Sequence, residues 1–169
     1  PVVVRTHAAE GFHLEIARVA QRVSGGDLVF VCNPNNPTST VHSASAIEEF
    51  VAAVHRHSPD TVIHFDEAYH EYVTDAEYRS ALEMALATPN VLVTRTFSKV
   101  YGMAGLRVGY AVGHADVTKR LGRHALTFNT NTVGVAAAYT ALQDTARVAS
   151  EVARNAALAE IGAAQRRGA

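Results

Sequence analysis

Between Thr96 and Tyr110 the chain reads Thr-Phe-Ser-Lys-Val-Tyr-Gly-Met-Ala-Gly-Leu-Arg-Val-Gly-Tyr. Two hydroxyls, Thr96 and Ser98, stand just before Lys99, and Arg107 follows eight residues after that lysine, with glycines between. A primary amine can bond covalently to an aldehyde, and hydroxyls with a guanidinium suit a phosphate. Glycines let the backbone come close to such a ligand. The segment therefore points to the holding of a phosphorylated aldehyde cofactor, with Lys99 as its covalent anchor.

Two earlier segments end in chemistry of a complementary kind. The run Leu28 to Cys32 leads into Asn33-Pro34-Asn35-Asn36-Pro37-Thr38, and Thr61 to Phe65 leads into Asp66-Glu67-Ala68-Tyr69. In an open parallel sheet, ligands bind beyond the carboxyl ends of the strands, so these residues are expected at one edge with Lys99. A carboxylate at Asp66 can pair with a protonated pyridine nitrogen and keep the ring electron-poor. The Tyr69 phenol and the Asn36 amide can both donate to a ring phenolate oxygen. Each of these groups has such a job if the ligand is pyridoxal phosphate (PLP). Once released, the Lys99 amine can shuttle a proton at a substrate Cα, an acid–base contribution of roughly 10²- to 10⁴-fold.

The elements that must position these groups alternate in type. Leu28 to Cys32, Thr61 to Phe65, Val91 to Arg95 and Val108 to Val112 read as strands, each apolar enough to be buried on both faces. Ala44 to His57 sets Ile47, Phe50, Val51 and Val54 at helical spacing, and Glu77 to Ala87 does the same with Leu82, Ala85 and Leu86. Ser43 and Ser45 are candidate caps of the first helix, Glu48 standing at capping-box spacing from Ser45. The alternation predicts an α/β fold with a mostly parallel sheet and crossover helices. From Thr132 an Ala-rich pattern through Tyr139, Leu142, Val148, Val152 and Leu158 predicts one long helix to about Ala164. The expected division is a partial cofactor-binding domain over 1–131 and, over 132–169, a long helix leading toward a further, small domain.

Composition excludes other classes. Of 169 residues, 48% are hydrophobic and 18% charged, enough apolar material for a sizeable core. A net charge of -1 gives no basic field for nucleic acid or an anionic membrane. Cys32 is the only cysteine, so no internal disulfide can form, and neither a membrane-length apolar run nor a secretory signal is present. A cytoplasmic location is expected. The chain opens at Pro1 and ends at Ala169 within a polar helical pattern, which reads as a piece of a longer protein.

Taken together, Asn33-Pro-Asn-Asn-Pro-Thr38, Asp66-Glu-Ala-Tyr69 and Ser98-Lys-x-Tyr-Gly-x-Ala-Gly-Leu-Arg-x-Gly-Tyr110 resemble the aspartate-aminotransferase superfamily of PLP enzymes (fold type I, class I/II). The likeness is strongest to its histidinol-phosphate and aromatic-amino-acid branch, and it extends through Phe128-Asn-Thr-Asn131. It implies that Lys99 is the Schiff-base lysine, Asp66 the pyridinium partner, Tyr69 and Asn36 the donors to the ring oxygen, and Thr96, Ser98 and Arg107 the phosphate ligands. It further implies a cis Asn36-Pro37 peptide, a homodimer, small-molecule amino-acid and 2-oxo-acid substrates, and a role in amino-acid biosynthesis. A PLP-dependent decarboxylase of the same fold, or an inactive fragment acting as a dimerisation module, are the alternatives. The chain departs from the family at Ser39, where glycine is common.

The remaining candidates are read as structural. Asn33 and Asn35 are turn formers, Tyr101 and Tyr110 belong to core or interface, and Cys32 is a small buried hydrophobe. His64 packs in its strand. His55 and His57 lie two apart on a helix and face different ways, so no metal site is expected.

Overall fold

The computed structural model describes the backbone of residues 4–167 and the side chains of residues 4–160. The chain divides into two compact units, the first running to Arg95 and resuming over Tyr110–Leu126, the second made of Thr96–Gly109 and the chain from Thr127 onward.

The first unit is a sheet with strands in the order β1 (Leu28–Cys32), β2 (Val62–Asp66), β3 (Val91–Thr96) and β4 (Gly109–Gly113). β1 pairs with β2 and β2 with β3 in parallel, with Phe65 opposite Val31 and Val93. Parallel neighbours need a crossover. Helix α2 (Ala44–His57) supplies the first and the shorter α3 (Leu82–Ala87) the second, while α1 (Ile16–Ala20) precedes β1. Ser43 caps α2, its Oγ accepting from the Ala46 amide at 3.3 Å. Ser45 therefore lies inside the first turn, and Glu48 falls outside capping-box spacing from the true cap. The helix buries Ile47, Phe50, Val51 and Val54, the stripe its spacing predicts, and ends before Ser58-Pro59, where proline stops it.

Strand period decides what is buried. Val29, Val31, Ile63, Phe65, Val91 and Val93 alternate onto one face and form the core with α2 and with Ala20, Ala81 and Ala85. The expectation of strands buried on both faces fails at β1, where Leu28 and Phe30 are 56% and 64% exposed and Cys32 is exposed, and at β4, none of whose residues is buried. The described helices that cover β1 lie on the other side of the sheet. Cys32 is thus not a buried hydrophobe, because it shares the uncovered face with Phe30. Farther along that face, Leu92 is covered by Val117 of α4 (Ala115–Gly122). Gly113 permits the approach, since a Cβ there would stand 2.9 Å from both Val91 O and Val117 Cγ1.

Helix α3 is shorter than expected and exposes Leu86, since Glu77 to Ala81 is instead drawn into the side-chain bonds described below. No helix among the described residues is long and apolar enough to cross a membrane.

In the second unit the expected single helix is two, α5 (Thr132–Gln143) and α6 (Thr145–Arg167). Asp144 interrupts them with φ -93° and ψ 68°, and its Oδ1 accepts from the Arg147 amide at 3.0 Å. A short acid that caps a new helix competes with continuing the old one. Asn131 caps α5 through Gly134 N at 2.6 Å. Gly134 is required there, because a Cβ would fall 2.5 Å from Val108 Cγ2.

Candidate active site

Two sets of candidate residues, one in each unit, have separate local frameworks. In the first unit the framework starts from strand register. Ile63 pairs with Val91, and Phe65 stands two residues further along, opposite Val93. Two more residues bring Glu67 and Arg95 to the same buried face, and they bond. Glu67 is 2% exposed, Arg95 Nε and Nη2 donate to its Oε2 at 3.0 and 2.9 Å, and the Ala81 amide donates to Oε1 at 2.7 Å. Ser80 Oγ also donates to the carboxylate, at 2.7 Å to Oε2, while accepting from Arg95 Nη2 at 2.7 Å. Burial opposes the Arg95 charge, but hydrogen bonding and attraction from Glu67, helped by Tyr110, more than offset it and raise the pKa.

Asp66 faces the other way. Its strand partners are Cys32 and Thr94, and its Oδ1 accepts from the Ala68 amide at 3.0 Å, turning the chain out of β2. Tyr69 follows, and its hydroxyl oxygen accepts from Asn36 Nδ2 at 2.9 Å. The structure therefore brings together Asn36 and Tyr69 from segments 33 residues apart. An oxygen that accepts one hydrogen bond becomes a better donor through its own proton.

The loop carrying Asn36 is closed by the two asparagines read as turn formers. Asn33, 4% exposed, donates through Nδ2 to His42 O at 3.2 Å and accepts at Oδ1 from His42 N at 2.9 Å. Asn35 Nδ2 donates to Thr38 Oγ1 at 2.6 Å, and its backbone amide donates to Thr40 O at 2.9 Å. Asn36-Pro37 is cis, as the resemblance implies, and Asn33-Pro34 is cis as well. Ser39, where the family often has glycine, takes φ 57°, a left-handed conformation that glycine adopts without strain.

In the second unit, Thr96, Ser98, Lys99 and Arg107 lie on one loop that closes on itself. Phe97 N donates to Val108 O at 3.1 Å, Met103 N to Phe97 O at 3.0 Å and Gly102 N to Lys99 O at 2.9 Å. Thr96 Oγ1 accepts from Ser98 N at 3.0 Å. Arg107 is held at φ 53° while its Nη1 donates to Ala104 O at 2.8 Å, and Lys99 is solvent-exposed. A non-glycine residue in the left-handed region is strained by roughly 1–2 kcal/mol, and such strain clusters at ligand clamps.

Sequence reasoning missed Glu67 and Arg95 as a pair, and Tyr78 and His70. Tyr78 donates to Asn33 O at 3.4 Å and lies 3.1 Å from His70 Nδ1. A detectable signal existed: Glu67 and Arg95 each continue a buried alternation of apolar residues, a register at which a charge needs a partner. His64 packs against Phe30, with ring centroids 4.9 Å apart, and its Nε2 lies 2.7 Å from Thr94 Oγ1.

Removing Arg95 strands a buried carboxylate. Arg95→Leu is expected to lose about 3–5 kcal/mol in urea denaturation, with Arg95→Lys recovering part of it, and a loss under about 1 kcal/mol would contradict the pairing. Burial lowers the pKa of His42, His64 and His70 from 6.5, reinforced by His13 at His42 and by Arg95 at His70, and opposed by Asp66 at His64. The unfolded chain then binds more protons, so their stabilising contribution is complete above 6.5 and is lost as pH falls through the lower folded-state values. Denaturation midpoints should fall on acidification from about pH 7.5 to about pH 5.5; a rise over that range would contradict it.

Comparison with known proteins follows the same lines. Histidinol-phosphate aminotransferase 1 of Nitrosococcus oceani is 42% identical over 137 residues, covering 80% of this chain and 36% of that protein. Aromatic amino acid aminotransferase of Mycobacterium avium is 50% identical over 116 residues, 69% of this chain and 32% of that protein. The chain thus spans about a third of the length of these curated relatives. The crystal structure of histidinol-phosphate aminotransferase from Sinorhizobium meliloti in complex with pyridoxal-5'-phosphate matches with a TM-score of 0.71 at 31% identity, over 81% of this chain and 36% of that one. A family model described as aminotransferase class I and II matches residues 1–163, and the chain belongs to that family.

Proposed function

We propose that this chain carries the cofactor-holding part of a PLP-dependent aminotransferase, whose amino donor is histidinol phosphate or an aromatic amino acid and whose acceptor is a 2-oxo acid. The observation that carries the reading is the self-closed loop that presents Thr96, Ser98, Lys99 and Arg107. Two hydroxyls, a guanidinium and an amine on one loop are the donor set that a phosphorylated aldehyde needs. The carboxylate, phenol and amide of Asp66, Tyr69 and Asn36 are in turn the set that suits a hydroxypyridine ring.

When bound, PLP supplies an electron-accepting ring that stabilises negative charge at the substrate Cα. Asp66 holds a proton at the ring nitrogen. Tyr69 and Asn36 donate to the ring oxygen and orient the ring plane. Thr96 and Ser98 donate to the phosphate while Arg107 neutralises it. Lys99 is the anchoring amine, and it later takes and returns the proton at the substrate Cα. The named activities of the two relatives support the choice of amino donor. A homodimer fits the exposed apolar side chains of α5, Val135, Tyr139 and Leu142, at 50%, 67% and 49% exposure.

The test loads the intact protein with PLP, fixes it with borohydride and maps the modified peptide. The pyridoxyl mass is expected on Lys99 and nowhere in Lys99→Ala, and an unmodified Lys99 in the wild type would sink the reading. Asp66→Ala should keep the cofactor yet lose roughly 10²-fold or more in turnover. Incubation with amino donor should release an oxo acid and pyridoxamine phosphate, whereas carbon dioxide release would favour a decarboxylase.

A further inference from the structure

Asn36 and Tyr69 come from two segments, the 33–42 loop and the turn that follows β2, whose bases meet where Asn33 N donates to Asp66 O at 3.1 Å. One side chain reaches both. The Tyr78 hydroxyl donates to Asn33 O, at the base of the Asn36 loop, and lies 3.1 Å from His70 Nδ1, next in sequence to Tyr69. The Tyr78 and His70 rings lie 5.7 Å apart, tilted by 42°. A phenol carries one proton, and a carbonyl oxygen can only accept. With that proton directed to Asn33 O, the hydrogen between Tyr78 and His70 belongs to Nδ1, which fixes the imidazole tautomer.

Tyr78 is itself held by the buried ion pair. Ser80 and Ala81, two and three residues later, both donate to Glu67, and the Glu77 carbonyl accepts from Ala44 N at 2.9 Å. Burial raises the Tyr78 pKa, with Glu67 adding to it, and lowers that of His70, with Arg95 adding to it. Both groups are therefore neutral near pH 7, and the direction of the two bonds does not change there.

We infer that Tyr78 is a positioning residue for the Asn36–Tyr69 pair, tying the loop of one to the turn of the other through Asn33 and His70. Tyr78 need not touch the cofactor. It sets the separation at which the amide and the phenol meet, and through it how strongly they donate to the ring oxygen. The inference rests on the functional reading above, in which these two groups are the ring-oxygen donors.

Tyr78→Phe keeps the ring and removes both bonds, and two readouts on the intact protein test it. Without cofactor, amide hydrogen exchange should quicken roughly tenfold at residues 33–38 and 69–73 and stay unchanged in α2. With PLP, the variant should still be trapped at Lys99, but the pH at which the bound cofactor's visible absorbance changes should rise by about one unit. His70→Asn, whose amide can donate to Tyr78, should keep the wild-type midpoint, and His70→Leu should behave as Tyr78→Phe does. Unchanged exchange with an unchanged midpoint would overturn the inference, as would quickened exchange spread over α2, which marks general destabilisation. A wild type that takes up no PLP would overturn the functional reading and with it the effect on the cofactor, while local quickening in Tyr78→Phe would still establish the tie.

Discussion

A carboxylate and a guanidinium buried side by side at the ends of two parallel strands place most of what matters in the first unit. Glu67 and Arg95 continue the core-facing alternation of Ile63, Phe65, Val91 and Val93, where a charge is tolerable only if paired. Since side chains alternate with period two, slipping β2 by one residue would exchange Asp66 and Glu67 between faces. The slip would strand a charge in the core and turn Asp66 away from the face it shares with Cys32 and Thr94. The ion pair therefore specifies register as well as closing the core, and Asp66 is presented because its neighbour is held.

From Glu67 the order spreads outward through hydrogen bonds. Ser80 and Ala81 fasten the start of α3, that segment carries Tyr78, and Tyr78 reaches the bases of the loop and turn that bear Asn36 and Tyr69. Asn33 does similar work from β1, clamping both backbone groups of His42. In the second unit, strain plays the corresponding part. Arg107 is kept in a left-handed conformation by a loop whose ends hydrogen-bond to each other. Polar residues thus organise both sets, and apolar packing supplies the platform beneath one of them.

Much of this was legible in the sequence because the relevant signals are local. Strand runs ending in distinctive residues gave the α/β alternation, and the α2 stripe gave its buried face. Asn36, Asp66, Tyr69 and Lys99 stand out by chemical type and by their place at strand ends. Longer-range facts were hidden. Glu67 beside Asp66 looks like an ordinary acidic pair until the β2–β3 register shows that they face apart. Tyr78 sits in the stretch read as the first turn of a helix that in fact begins at Leu82, and only the folded chain brings it to His70 and Asn33. Cys32 was misplaced because an apolar strand does not reveal which of its faces the described helices cover. The break at Asp144 was missed because helical periodicity on both sides of it outweighed one capping residue.

Register turns Asp66 away from the buried Glu67, and in the proposed function that is the side on which it holds a proton at a ring nitrogen. Nitrogen NMR of the intact protein loaded with PLP labelled at the ring nitrogen addresses it directly. A protonated nitrogen is expected in the wild type at neutral pH and an unprotonated one in Asp66→Ala. The same unprotonated signal in both would contradict it.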